Sequence, residues 1–351
     1  MHDRPVAIAI TSGDPCGIGP EVILKALPLL QRRTHRWVVI GTLRVFDRMA
    51  HRLARRLPRW HATALDAWLR HPAWPAFIEI ACPEPLTPGR VSAAAGSASV
   101  AYLEAAVQLA RAERIDALVT APVTKQAVEF HQQGFQGHTE YLAAALRARD
   151  PVMMFDSPRL RVCVLTRHMP LRRVPSAVTP RLIRTALLTT LAGLQHDFGI
   201  HRPRVAVCGL NPHAGEVGLF GEEEQRLLRP VLQQLVRAGH HIKGPFAADG
   251  LFASGLHYDA VVCWYHDQGL IPFKLLARDC GCQVTLGLPI VRTSPDHGSA
   301  LDIAGTGRAH PGSMRYALEA AWVMARRRLR AGGRLRSFHQ HAHALRAPSR
   351  A

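Results

Sequence analysis

Three histidines stand just past short apolar runs of the kind that make buried strands. His168 follows residues 160–165, His213 follows residues 204–210, and His266 follows residues 259–264. In an open α/β sheet, ligands gather outside the carboxyl ends of the strands. Sheet topology can bring three such loops to one crevice, and three imidazoles leaving an open position make a catalytic metal site. Zn²⁺ suits these ligands, and Co²⁺ or Mn²⁺ fits the same set. The alternative is that the three rings only cap helices or bond within turns. The chain has 20 histidines, and His339, His341 and His343, for example, lie in polar or basic surroundings that call for no role.

The stretch from 258 to 307 adds cations to this chemistry. After His266 and Asp267 comes Lys274, and a second apolar segment, 284–291, ends on Arg292, Thr293 and Ser294. A lysine and an arginine near strand ends suit an anionic substrate beside a metal ion. His138 and Thr139 open an apolar helix in GHTE, residues 137–140. Thr139 there is either a plain helix cap or, with the imidazole and the exposed N–H groups, part of a phosphate site.

These side chains must be carried by a βα alternation. Strands are expected over 6–10, 37–41, 77–80, 115–120, 160–165, 204–210 and 259–264, with helices over 21–30, 43–57, 61–70 and 94–113. That order means a mostly parallel, doubly wound sheet. The glycines of TSGDPCGIGPE, residues 11–21, fit neither GxGxxG nor a P-loop and read as a tight strand-to-helix turn.

With 351 residues the chain exceeds one ordinary core and reads as two lobes. It has no apolar run of eighteen residues, so no membrane span is expected, and its amino terminus lacks the pattern of a signal peptide. Seven cysteines without a CxxC pair suit a reducing compartment, and the cytoplasm is the expected location. The net charge of +18 is concentrated in a carboxyl-terminal tail and in a patch at 51–59. Neither is interleaved with aromatic residues, so no nucleic-acid partner is expected.

Taken together, TSGDPCGIGPE (11–21), TAPVTK (120–125), GHTE (137–140), LNPHAGE, YHDQG (265–269) and TLGLPIVRTSPDHGSALDIAGTG (285–307) resemble the 4-hydroxythreonine-4-phosphate dehydrogenase family of pyridoxal phosphate biosynthesis. The resemblance covers about 1–325. It implies two α/β/α lobes like those of isocitrate and isopropylmalate dehydrogenases, with a cleft between them. The first lobe would hold 1–128 and about 268–330, the second 129–267, and 331–351 would form a basic tail. A homodimer is implied, with the active site at the subunit interface and metal ligands drawn from both subunits.

Carried over residue by residue, the resemblance puts the metal on His168, His213 and His266, and the substrate on His138, Thr139, Lys274, Gln283 and Arg292. Gln283 stands where the family has asparagine, and Cys16 where it has alanine. The metal would be Zn²⁺, with Co²⁺ or Mg²⁺ as alternatives, and the cofactor NAD, with NADP as the variant. The implied reaction is oxidation of 4-phosphohydroxy-L-threonine at its C3 hydroxyl, followed by decarboxylation. Asp249 and Asp267 are candidates for the base or for orienting a histidine, and Asp296 and Asp302 for contacts to the dinucleotide. A related dehydrogenase acting on phosphorylated threonate or erythronate, or on an aromatic dihydrodiol, is the alternative. A metal-dependent hydrolase is the alternative from another class.

Overall fold

The computed structural model describes residues 4–34, 36–82, 85–254 and 257–331. The basic tail expected at 331–351 lies outside the described residues, apart from Ala331. Among the described residues twelve strands occur: β1 (Ile8–Thr11), β2 (Trp37–Gly41), β3 (His61–Thr63), β4 (Ala76–Glu79), β5 (Ala117–Thr120), β6 (Val152–Asp156), β7 (Arg161–Val164), β8 (Val205–Cys208), β9 (Ile242–Phe246), β10 (Ala260–Cys263), β11 (Cys282–Leu286) and β12 (Val291–Pro295). The chain divides into two compact units. The first contains Met1–Ala148, Asp279–Gln283 and Ile290–Arg330; the second contains Arg149–Arg278 and Val284–Pro289. The exchange points fall at 148 and 278, where the sequence reading has 128 and 267. The helix His138–Ala145 therefore belongs to the first unit, and the helix His266–Ala277 to the second.

In the first unit the strands lie in the order β3-β4-β2-β1-β5-β12, and every neighbouring pair is parallel. Buried on both faces, β1, β2 and β5 are near-continuous apolar runs. The turn after β1 depends on glycine. Gly13 sits at φ +66°, and a Cβ there would fall 2.2 Å from the Pro122 carbonyl oxygen. The following helix, Gly19–Gln31, takes Pro20 in its first turn, as the sequence suggests. Its Glu21 is fully buried, and its carboxylate accepts from the Gly307 and Ala309 amides at 3.2 and 2.8 Å. Lys25, one turn on, donates to Glu21 Oε1 at 2.7 Å and to the carbonyls of Gly307 and Ala309 at 2.8 and 2.7 Å. A buried carboxylate is tolerable only with such partners. The glycine-rich segment is thereby fastened to this helix.

The second unit orders its strands β6-β7-β10-β8-β9, parallel except for the β6–β7 hairpin. The helix His266–Ala277 lies on β7 at Gly269, where a Cβ would come within 2.3 Å of Val162 Cγ1. Phe273 and Leu270, on the same helix, bury against Phe155, Val162 and Cys263. This packing fixes where the helix begins.

Several elements depart from the sequence reading. The helix expected over 43–57 ends at Arg52. Ala54 turns left-handed at φ +48° while the Arg55 amide donates back to the Ala50 carbonyl, closing the helix without glycine. A short strand, β3, occupies 61–63 where helix was expected. The apolar segment 284–291 is two strands broken at Gly287, φ +87°. Strands β6 and β9 were not anticipated. No helix among the described residues is long and apolar enough to cross a membrane.

Candidate active site

The first unit gathers four of the expected substrate residues into one polar cluster. Arg292 rides on β12 beside β5, with Arg292 opposite Leu118 in register. Its side chain is only 2 % exposed. The guanidinium donates to Thr120 Oγ1 at 2.6 Å, at the end of β5, and makes a short hydrogen bond to Gln283 Oε1 on β11. Burial pushes the Arg292 pKa down to about 9, opposed by the nearby carboxylate of Glu140, so the group keeps its charge at neutral pH. A buried guanidinium needs partners, and a carbonyl and a hydroxyl supply them without cancelling its charge.

His138 and Thr139 begin the helix His138–Ala145. Thr139 is buried, and no side-chain bond from the N-cap residue, Gly137, closes this helix start. The Nε2 atom of His138 is buried without a hydrogen-bond partner. Burial, then Arg292, then Lys125 hold its pKa well below the usual histidine value, so the ring is neutral. A charged arginine, a neutral imidazole and an amide side chain in one place can grip an anion while leaving it partly desolvated.

The second unit carries the three strand-end histidines and Lys274. His266 is the first residue of its helix, and its Nδ1 lies 2.7 Å from Asp267 Oδ1. That bond orients the ring and leaves Nε2 for a ligand. The ring of His168 lies 5.6 Å from that of His266, centroid to centroid. Two imidazoles bound to one tetrahedral Zn²⁺ would stand about 5 Å apart by the usual Zn–N distance and angle. The pair therefore fits a shared ion. Gln268 ties this region together: its Oε1 accepts from the Trp264 amide at 2.8 Å, and its Nε2 donates to the Gly209 carbonyl at 2.7 Å.

His213 is held differently. Residues His213 to Val217 all have left-handed backbone, and the His213 ring packs 5.9 Å from Phe220. The turn is anchored by Asn211, whose side-chain amide donates to Glu223 at 2.8 Å and Glu224 at 3.0 Å. Among the described residues of one chain, no three His, Cys, Asp or Glu side chains are grouped to hold a metal ion. His168 and His266 are brought together; the complete trio is not.

The remaining expected positions are plainly placed. Lys274 lies in the last turn of the helix from His266, exposed, in the second unit. Asp249 is exposed in the first turn of the helix Ala248–Ala253. Asp296 accepts from the Ser313 hydroxyl at 2.8 Å, which occupies one carboxylate oxygen structurally, and Asp302 is exposed. Three residues were missed by the sequence reading: Thr120, Glu140 and Gln268. Each lies inside a quoted motif, TAPVTK, GHTE or YHDQG, so the signal was present in the string without a role attached.

Residues 33–321 match the model of the family described as "Pyridoxal phosphate biosynthetic protein PdxA". The chain belongs to this family. A 4-hydroxythreonine-4-phosphate dehydrogenase of Desulfosudis oleivorans is 44 % identical over 327 residues, covering 92 % of this chain and 96 % of that one. The crystal structure of the Klebsiella pneumoniae 4-hydroxythreonine-4-phosphate dehydrogenase superposes with a TM-score of 0.78 at 36 % identity, covering 92 % of this chain and 98 % of that one. A terephthalate 1,2-cis-dihydrodiol dehydrogenase of Burkholderia xenovorans is also similar, with a TM-score of 0.63 at 31 % identity and coverage of 91 % and 98 %. Members of the PdxA family thus share the fold of this chain over nearly its whole length.

Proposed function

We propose that this chain is an NAD-dependent 4-hydroxythreonine-4-phosphate dehydrogenase. It would oxidise 4-phosphohydroxy-L-threonine at the C3 hydroxyl, and the resulting 3-oxo acid would lose carbon dioxide to give 3-amino-2-oxopropyl phosphate. The observation that carries this reading is the buried, still charged Arg292, hydrogen-bonded to the neutral Gln283 and Thr120 with the neutral His138 ring nearby, a grip suited to a phosphate. A dihydrodiol without an anionic group offers such a grip nothing to hold, whereas one made from an aromatic acid such as terephthalate offers a carboxylate in place of a phosphate.

His168 and His266 of one chain, joined by His213 of a second copy, are proposed to hold a divalent ion, with Zn²⁺ first and Co²⁺ or Mg²⁺ as alternatives. Such an ion would polarise the substrate hydroxyl and the carbonyl formed from it. A nicotinamide dinucleotide, NAD or NADP, would supply the hydride acceptor when bound. Asp267 positions the His266 ring, which leaves Asp249 as the carboxylate available to take the hydroxyl proton. Lys274 would add a cation to the phosphate. A homodimer is supported by exposed apolar side chains just beyond two of the ligands: Leu171 after His168, and Val217 and Leu219 after His213, at 62, 86 and 74 % exposure. All seven cysteines are free, which supports a reducing, cytoplasmic setting.

The second reading, a dehydrogenase of another substrate, is favoured by the similarity to the dihydrodiol enzyme and by Gln283. One assay separates the two. NADH and NADPH formation is followed with 4-phosphohydroxythreonine, unphosphorylated 4-hydroxythreonine, phosphorylated threonate and erythronate, and a cis-dihydrodiol. The first reading expects 4-phosphohydroxythreonine to give the highest kcat/KM, and a higher value for any other member of the panel replaces it.

A further inference from the structure

Lysine is scarce in this chain: 4 of its 44 cations are lysine and the rest arginine. Lys25 is consumed by the clamp on Glu21, and Lys274 belongs to the expected substrate set. Lys125 ends the TAPVTK motif, and nothing in the mechanism uses it. Two other members of that motif are already engaged. Thr120 accepts from Arg292, and Thr124 shares a 2.7 Å hydrogen bond with Ser299. The exposed Lys125 side chain makes no hydrogen bond or ion pair among the described residues.

Its mounting is rigid. Lys125 opens the short helix Lys125–Glu129, which is pressed onto the helix Ala93–Arg111 at Gly96, where a Cβ would lie 1.8 Å from the Ala127 carbonyl oxygen. Its side chain reaches the start of the helix His138–Ala145. Lys125 Cε lies 3.9 Å from the point where a Gly137 side chain would begin, and Glu140 Oε2 lies 3.4 Å from the same point. Gly137 has φ +147°, so this bare backbone suits glycine and leaves the approach open. Lys125 is also close enough to His138 to disfavour its protonation.

Charge decides what the lysine is for. Arg292 and Glu140 contribute one positive and one negative charge, and His138 is neutral. Without Lys125 the first unit's cluster would have no net charge to offer a phosphate monoester, which carries about −1.5 to −2 at pH 7. With it the cluster is a cationic socket beside a helix start. We propose that Lys125 is a further phosphate-binding cation of this site, the second in the first unit after Arg292, and sets its preference for the phosphorylated substrate. This inference rests on reading the Arg292 cluster as the phosphate site.

The test compares wild type with Lys125→Met, Lys125→Arg and Arg292→Met. Affinity for inorganic phosphate is measured by calorimetry, together with NAD affinity, Tm, and kcat and KM for 4-phosphohydroxythreonine and unphosphorylated 4-hydroxythreonine. Lys125→Met is expected to weaken phosphate and raise KM for the phosphorylated substrate by about tenfold or more, acting through KM rather than kcat. NAD affinity should be unmoved, the unphosphorylated substrate should lose far less, and Lys125→Arg should restore most of the loss. If Arg292→Met weakens phosphate and Lys125→Met does not, the inference fails alone. Equal losses for both substrates, or parallel losses of NAD affinity and Tm, also overturn it, because they mark a structural role. If wild type binds no phosphate, or binds it regardless of Arg292, the reading of the cluster fails and the Lys125 assignment falls with it.

Discussion

Arg292 Nη2 and Thr120 Oγ1 meet at 2.6 Å, although 172 residues separate them. Adjacent parallel strands, β12 and β5, bring them side by side and leave both at the edge of one polar cluster. The guanidinium is thus aimed by the sheet itself, not by a loop. A site built on strands holds its geometry more closely than one built on loops.

That rigidity gives the first prediction. Arg292→Ala removes a buried charge that would pair with substrate phosphate, and should lower kcat/KM for 4-phosphohydroxythreonine by roughly 2–5 kcal/mol of transition-state stabilisation. Gln283→Asn draws the carboxamide back from Arg292 by one methylene but keeps its chemistry. A change of about tenfold or less is expected. Steady-state kinetics on both variants checks the ranking, and a larger loss for Gln283→Asn would contradict it.

The histidine geometry makes a prediction about mixed dimers. If His168 and His266 of one chain share an ion with the partner's His213, chains of His168→Ala and His213→Ala should complement. Half the sites in such a heterodimer would regain all three ligands. Mixing His168→Ala with His266→Ala should recover nothing. Activity and metal content of tagged, purified heterodimers decide the matter, and equal recovery in both mixtures would reject this division of ligands.

Asp267 should act through His266. Asp267→Asn keeps a hydrogen-bonding group but weakens the hold on Nδ1, so metal affinity should drop by roughly 10- to 100-fold. Competition with a chromophoric chelator measures this directly. Saturating metal should restore most of kcat; if it does not, Asp267 has a further role in the reaction.

The buried His138 predicts an acid limit to stability. Its folded pKa lies well below the ordinary histidine value of about 6.5, through burial first and then through Arg292 and Lys125. The unfolded chain therefore takes up a proton near pH 6.5 that the folded chain refuses. Stability is complete above that pH and is lost progressively as pH falls below it. Replacing the imidazole by a group that does not titrate, as in His138→Gln, should flatten that part of the profile. Tm measured from pH 8 to pH 5 for both proteins checks this, and parallel curves would remove His138 as the cause.

Much of this was legible in the sequence because parallel strands buried on both faces are unbroken apolar runs. Residues 37–41 show it plainly, and so do the runs before His168, His213 and His266. β9, with the sequence IKGPF, was hidden because an edge strand tolerates glycine and proline and needs no such run. The helix end at Arg52 was hidden because the left-handed residue that closes it is alanine, which carries no turn signal. Within the site, spacing alone gave the histidines at strand ends. It could not give Thr120 as the partner of Arg292, because that contact depends on which strands are neighbours. That no trio of His168, His213 and His266 forms among the described residues of one chain was also beyond periodicity, which does not report the conformation of the left-handed turn at 213–217.

The clamp between Glu21, Lys25 and the 307–309 segment bears on how long that segment's amides stay protected from solvent deuterium. Gly307 and Ala309 donate to a carboxylate with no exposed surface, whereas the neighbouring Thr306 and Arg308 are surface residues of the same segment. Backbone protons held by a buried group exchange only when the structure around them opens. The two amides should therefore exchange with the slow kinetics of the helix Gly19–Gln31, although they belong to a segment with neither helix nor strand. Lys25→Met would speed both, leaving amides of the second unit at their former rates.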